Sequence, residues 1–202
     1  MHTPPRTLRR VNNLLFALIV VIDLYIIAAP LLPQVTYWWD MHHTHRQAQL
    51  QHLIQPTPKA AAAASITGPN RIVIPKMLLD QQILEGPESD WFNILYRGIW
   101  HWPGSSTPDR GGNTVFLSHR FSYTGPRGAF YYLNRLVPGD NIGVVWDDKL
   151  YTYDVVSSQV VPPTDTAIEN NTPNPQLTLF TCTPLWAPVN RLVVVAKLEQ
   201  VT

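Results

Sequence analysis

Hydrophobic positions in this chain follow two rhythms. Residues 14–32 form one continuous apolar run whose only charge is Asp23. At about 19 residues it approaches the ~20 that a helix needs to cross a bilayer core. From residue 71 onward the apolar positions fall instead in short runs, 71–74, 113–118, 141–146, 151–157, 177–182 and 191–198. Most are bounded by Gly, Pro, Asn or Asp, which predicts β-strands separated by turns. Asp147, Asp148 and Lys149 lie between two of these runs and predict a hairpin turn. A short helix is expected over 129–136, ending before Pro138-Gly139. Many short strands with little helix predict an all-β barrel or sandwich.

Arg6, Arg9 and Arg10 precede the long apolar run. That charge bias predicts a cytoplasmic segment over 1–13, a transmembrane anchor over 14–32 and an exported remainder. A cleaved signal peptide is the rival reading. The run is longer than a usual signal core, and Ala28-Ala29-Pro30 makes a poor cleavage site, so an uncleaved anchor is favoured. Residues 33–69 are expected to form a juxtamembrane stalk. They hold Trp38 and Trp39 as interfacial anchors, a polar helical stretch over 45–54, and then Pro56, Pro58 and an alanine run. The main domain is expected over 70–202. His42, His43, His45 and His52 cluster in the stalk, but no Cys or carboxylate cluster completes a metal site around them.

Composition sharpens this picture. Of the 202 residues, 14% are charged and 19 are proline, which disfavours a helical bundle and favours short strands with rigid turns. A formal net charge of +1 gives no reason to expect nucleic acid as a partner. The single cysteine, Cys182, cannot form an internal disulfide. It closes the run 177–182, His119 follows the run 113–118, and Arg191 opens the run 191–198. A cysteine, a histidine and an arginine, each at the end of a β segment, can carry out acyl transfer through a thioester. His101 is the competing base. Trp100, Trp102 and Trp146 read as core or groove-wall packing.

The same residues carry a family resemblance. Thr178-Leu179-Phe180-Thr181-Cys182 resembles the nucleophile motif of sortases, and Arg191 stands where that family places its essential arginine. Gly112-Asn113-Thr114-Val115 leading into His119-Arg120 is similar to the family's histidine segment. Phe130 through Asp140, Ile72-Val73-Ile74-Pro75-Lys76 and Gly98-Ile99-Trp100-His101-Trp102-Pro103 match further segments in the family's order. Ser118 departs from the pattern, since sortases often have Gly there.

The resemblance implies a closed β-barrel of about eight strands with short helices, behind one N-terminal transmembrane helix, in a housekeeping-like member of class D or E. It implies a cysteine transpeptidase with His119, Cys182 and Arg191 as catalytic residues and Thr181, Ser118 and Trp186 in contact with substrate. The implied donor is an LPxTG-like sorting signal on a secreted protein, and the implied acceptor is a peptidoglycan precursor amine. No cofactor is expected. Some sortases bind calcium, but Asp109, Asp165 and Glu169 are too sparse for a site. The implied location is the cell membrane, with a cytoplasmic N-terminus and an extracellular catalytic domain. A pilin-polymerising role is less favoured, because the chain ends at Thr202 and shows no lid motif. An L,D-transpeptidase is disfavoured by the residues around Cys182. A catalytically silent adhesin or scaffold barrel is the alternative from another class.

Overall fold

The computed structural model describes residues 6–55, 68–121, 127–185 and 187–202. The chain divides into two compact units, residues 1–45 and residues 46–202. In the first, helix α1 (Arg6–Ala28) is followed by α2 (Leu32–His43). Thr7–Ala28 is long and apolar enough to cross a membrane, with none of its apolar window buried. The helical span thus starts earlier than the apolar run of the sequence and stops ahead of Pro30, which cannot extend it. His42 and His43 are spent within α2. Their Nδ1 atoms donate to the Trp38 and Trp39 carbonyls at 2.8 and 3.2 Å.

The second unit is a closed barrel. Its strands are β1 (Arg71–Ile74), β2 (Leu79–Leu84), β3 (Ile99–His101), β4 (Asn113–Leu117), β5 (Asn141–Trp146), β6 (Lys149–Val161), β7 (Gln176–Thr183) and β8 (Asn190–Val201). They close in the order β1-β2-β3-β4-β7-β8-β6-β5. The expected hairpin is present. Trp146 pairs with Lys149, and Asp147 and Asp148 between them have φ of 46° and 61°, as a tight two-residue loop demands. The expected helix over 129–136 is only a single 3-10 turn, Leu133–Arg135, flanked by turns.

Strand parity sorts the apolar residues into two layers. Ile72, Ile74, Phe116, Ile142, Val144, Leu177, Leu179, Val194 and Ala196 fill the barrel interior. Val115, Leu117, Phe180 and Val193, one residue out of phase, face the other way. They pack with Trp100 and with Ile94 and Leu95 of a short helix, α4 (Trp91–Arg97). This outer layer is where the chemistry collects.

Part of the expected stalk belongs to the barrel unit. Helix α3 (Arg46–Ile54) buries Leu50 and Ile54 against Val73, Val145 and Leu150. Gly143 makes this docking possible, because a Cβ there would overlap Ile54 Cγ2. The Ile54 carbonyl also accepts a hydrogen bond from Thr152 Oγ1 at 3.1 Å.

Candidate active site

Three strands bring the three sequence-predicted residues together. β7 and β8 are antiparallel, and their register sets Cys182 directly opposite Arg191. Arg191 Nη1 donates to Cys182 Sγ at 3.5 Å. β4 and β7 are parallel, with Leu117 beside Phe180. Continuing that register by two residues leads from Leu117 to His119 and from Phe180 to Cys182. Parity does the rest. His119 shares its face with Val115 and Leu117, Cys182 with Phe180, and Arg191 with Val193, so all three lie on the outer layer.

There they line one cavity of about 330 Å³, walled by Trp91, Leu95, Trp100, Trp102, Leu117 and Phe180. Trp100 and Trp102 meet edge to face with ring centroids 5.4 Å apart. The rim carries Glu88, Asp165 and Glu169. Burial, and then the nearby Glu88 carboxylate, hold the Glu169 carboxyl above its usual range, with Arg191 opposing. Burial pushes the His119 imidazole below its ordinary value, which favours the neutral ring.

Ser118 and Thr181 also line this cavity, but each hydroxyl is committed within the protein. Thr181 Oγ1 donates to the Ser118 carbonyl at 2.7 Å. Ser118 Oγ donates to the Gly98 carbonyl at 2.8 Å. Both residues share parity with the interior positions Phe116 and Leu179. Their observed contacts tie the His119 segment to β7 and to the end of α4. Trp186 lies outside the described residues.

His101 takes no part in the cavity. It is 6% exposed and its ring meets Phe116 and Trp146 edge-on, both residues of the interior layer. Its Nδ1 lies 2.8 Å from Glu85 Oε1, and its Nε2 lies 3.0 Å from the Ser106 carbonyl. Among the described residues, no group of three or more His, Cys, Asp or Glu side chains could hold a metal ion.

Two contributors escaped the sequence reading. Helix α4 supplies Trp91 and Leu95 to the cavity wall but is only 7 residues long, about two turns beyond a Pro-Glu-Ser-Asp stretch, too short for a clear period. Asn113, 1% exposed, pins the acidic loop in place. Its Nδ2 donates to the Ile168 and Asn170 carbonyls, each at 3.0 Å, and its Oδ1 accepts from Thr178 Oγ1 at 2.7 Å. The Gly112-Asn113 pair was visible in the sequence, but its distant partners were not. Arg120 gives a further tie, donating to Thr183 Oγ1 at 2.8 Å.

Comparison with known proteins meets this geometry from outside. The sequence model of the sortase domain matches residues 72–199. Sortase SrtE1 of Streptomyces coelicolor is 28% identical over 189 residues, covering 82% of this chain and 52% of the relative. Sortase D of Bacillus subtilis is 30% identical over 112 residues, covering 55% of this chain and 52% of the relative. The chain therefore spans about half the length of these curated relatives. The crystal structure of sortase E1 from Streptomyces coelicolor, solved with a tripeptide in its active site, superposes with a TM-score of 0.58 at 28% identity. It covers 68% of this chain and 91% of that one.

Proposed function

Because this chain belongs to the sortase family, we propose that it is a membrane-anchored cysteine transpeptidase of the class D or E kind. It cleaves an LPxTG-like signal on secreted proteins and moves the acyl group to a cell-wall precursor amine. The observation that carries this reading is the Arg191 guanidinium 3.5 Å from Cys182 Sγ, in a cavity that also holds His119.

A thiol attacks an amide as thiolate, so the Cys182 thiol first gives its proton to the neutral His119 ring. The Arg191 fork supplies fixed positive charge at the sulfur, and the same charge serves the oxyanion that forms when Sγ bonds to the scissile carbonyl carbon. The C–N bond then breaks, and the leaving amine takes a proton from His119. The acyl group is left as a thioester on Cys182. In the second half the acceptor amine attacks that thioester and gives a proton to His119, and the thiolate departs and recovers its proton from that ring. Atoms and charge balance without a cofactor. The apolar walls from Trp91, Trp100, Trp102 and Phe180 suit an extended peptide and restrict water.

The test uses the full chain in detergent with a panel of LPxTG-like peptides and an amine. Mass spectrometry is expected to show a thioester on Cys182 and then a transpeptidated product. The Cys182→Ala chain should give neither while remaining folded by circular dichroism. Transfer that survives this substitution would remove Cys182 as nucleophile. A folded protein that acylates with no peptide would favour the silent-scaffold alternative.

A further inference from the structure

A second cavity, of about 160 Å³, lies against the first. The two share Leu95 and His119 in their walls. The second is otherwise bounded by Gln81, Arg97, Gly98, Arg127 and Gly128 among its lining residues. Its charge is opposite to that of its neighbour. The first is lined by three acidic residues, Glu88, Asp165 and Glu169, whereas among the described residues the second is lined by two arginines, Arg97 and Arg127, and no acidic residue.

Those guanidinium groups are positioned but not neutralised. Arg97 Nε donates to the Asn93 carbonyl at 3.4 Å. Arg127 Nη1 donates to the Tyr132 hydroxyl at 2.9 Å, with the guanidinium 5.6 and 5.9 Å from the Tyr131 and Tyr132 ring centroids. Among the described residues the ion pairs are Arg71–Asp80, Lys76–Asp140 and His101–Glu85, so neither Arg97 nor Arg127 has a carboxylate partner. A guanidinium offers five donors in a planar fork, which suits a carboxylate.

The floor is fixed. Ser118 Oγ donates to the Gly98 carbonyl, and Gln81 Nε2 donates to the Arg97 carbonyl at 3.5 Å. Gly128 lies against the His119 backbone so closely that a Cβ would overlap the His119 carbonyl oxygen. Gly128 is thereby held against His119, and Arg97 is tied to the same segment through its neighbour Gly98.

From this juxtaposition we propose that the second cavity receives the acceptor substrate, and that Arg97 and Arg127 bind a carboxylate carried on the same molecule as the attacking amine. The inference rests on the transpeptidase reading above for the identity of the occupant. In the first cavity the donor acyl chain occupies the space around Cys182. The acceptor amine must still reach the thioester beside His119, which takes its proton. The second cavity is the one that shares His119 with the first. A zwitterionic acceptor would place its cationic end toward the acidic first cavity and its anionic end between the two arginines.

The test compares two probes that differ only at one end, glycylglycine with a free carboxylate and its carboxamide twin. Binding to the full chain in detergent is measured by calorimetry, and transfer onto each probe is measured with an acylating peptide. The carboxylate probe is expected to bind ~10-fold more tightly than the amide, the size of one charge-assisted contact. In the Arg97→Gln/Arg127→Gln chain both probes should bind as the amide binds the unaltered protein. Equal binding of the two probes to the unaltered chain, or a preference that survives the double substitution, overturns the proposal. A carboxylate preference lost on substitution, in a chain that never acylates Cys182, would keep the cavity and remove the transpeptidase. Acylation and transfer with no carboxylate preference would do the reverse.

Discussion

His119 and His101 differ by one step of strand parity, and that step separates the proposed base from a packing residue. His119→Gln is expected to lower transfer by roughly 10²–10⁴-fold, the usual worth of a positioned acid–base group. His101→Ala should instead lower the unfolding midpoint in urea, because it strips partners from Glu85 and Ser106, while the folded fraction keeps its transfer rate. The lowered His119 value also has a thermodynamic sign. The unfolded chain binds its proton more readily than the folded chain does. The contribution to stability is therefore complete above pH ~6.5 and lost as pH falls from there through the folded midpoint. NMR titration of the ring should place that midpoint below 6.5, and His119→Gln should remove this component from the pH profile of unfolding. The meeting of His119, Cys182 and Arg191 in one cavity was legible in the sequence because each lies at the end of a strand inside an ordered motif. The commitments of Ser118 and Thr181 were not legible, since they depend on which face each residue turns toward and on a partner strand 63 positions away.

Gly143 beneath helix α3 and Asn113 beneath the acidic loop are positions at which single substitutions test the docking of each. Gly143→Ala forces a methyl group into Ile54 and should cost about 1–3 kcal/mol of stability, read from urea unfolding of the full chain. Asn113→Ala orphans the Ile168 and Asn170 carbonyls and should cost about 1–3 kcal/mol as well. Because that loop walls the first cavity, Asn113→Ala should also raise the peptide KM, whereas Gly143→Ala should leave it unchanged. Six of the eight strands announced themselves through apolar runs and turn residues. β2 did not, because Asp80, Gln81 and Gln82 break its alternation, and β3 is only three residues long. The docking of α3 was hidden for a related reason. A polar helix with two buried apolar residues looks like a spacer until the glycine beneath it is seen.

The proposed membrane attachment and the barrel closure act on the protein as a whole. With α1 as the proposed anchor, a lipid-linked peptide in the same vesicles should be acylated faster than the free peptide at equal bulk concentration. The gain should be roughly 10²-fold and should vanish when detergent dissolves the vesicles. The short strands predicted a barrel or a sandwich and the sortase resemblance implied the closed form, but the strand order could be read from neither. The parallel β4–β7 pair joins segments that are distant in the chain, and such pairings form late. This has a consequence for how the protein comes into being. Until β4 and β7 meet, the thiol has no imidazole beside it, and until β8 completes the seam it has no guanidinium. A chain still emerging from the ribosome thus carries an unarmed sulfur. On the proposed reading, folding and activation are then a single event.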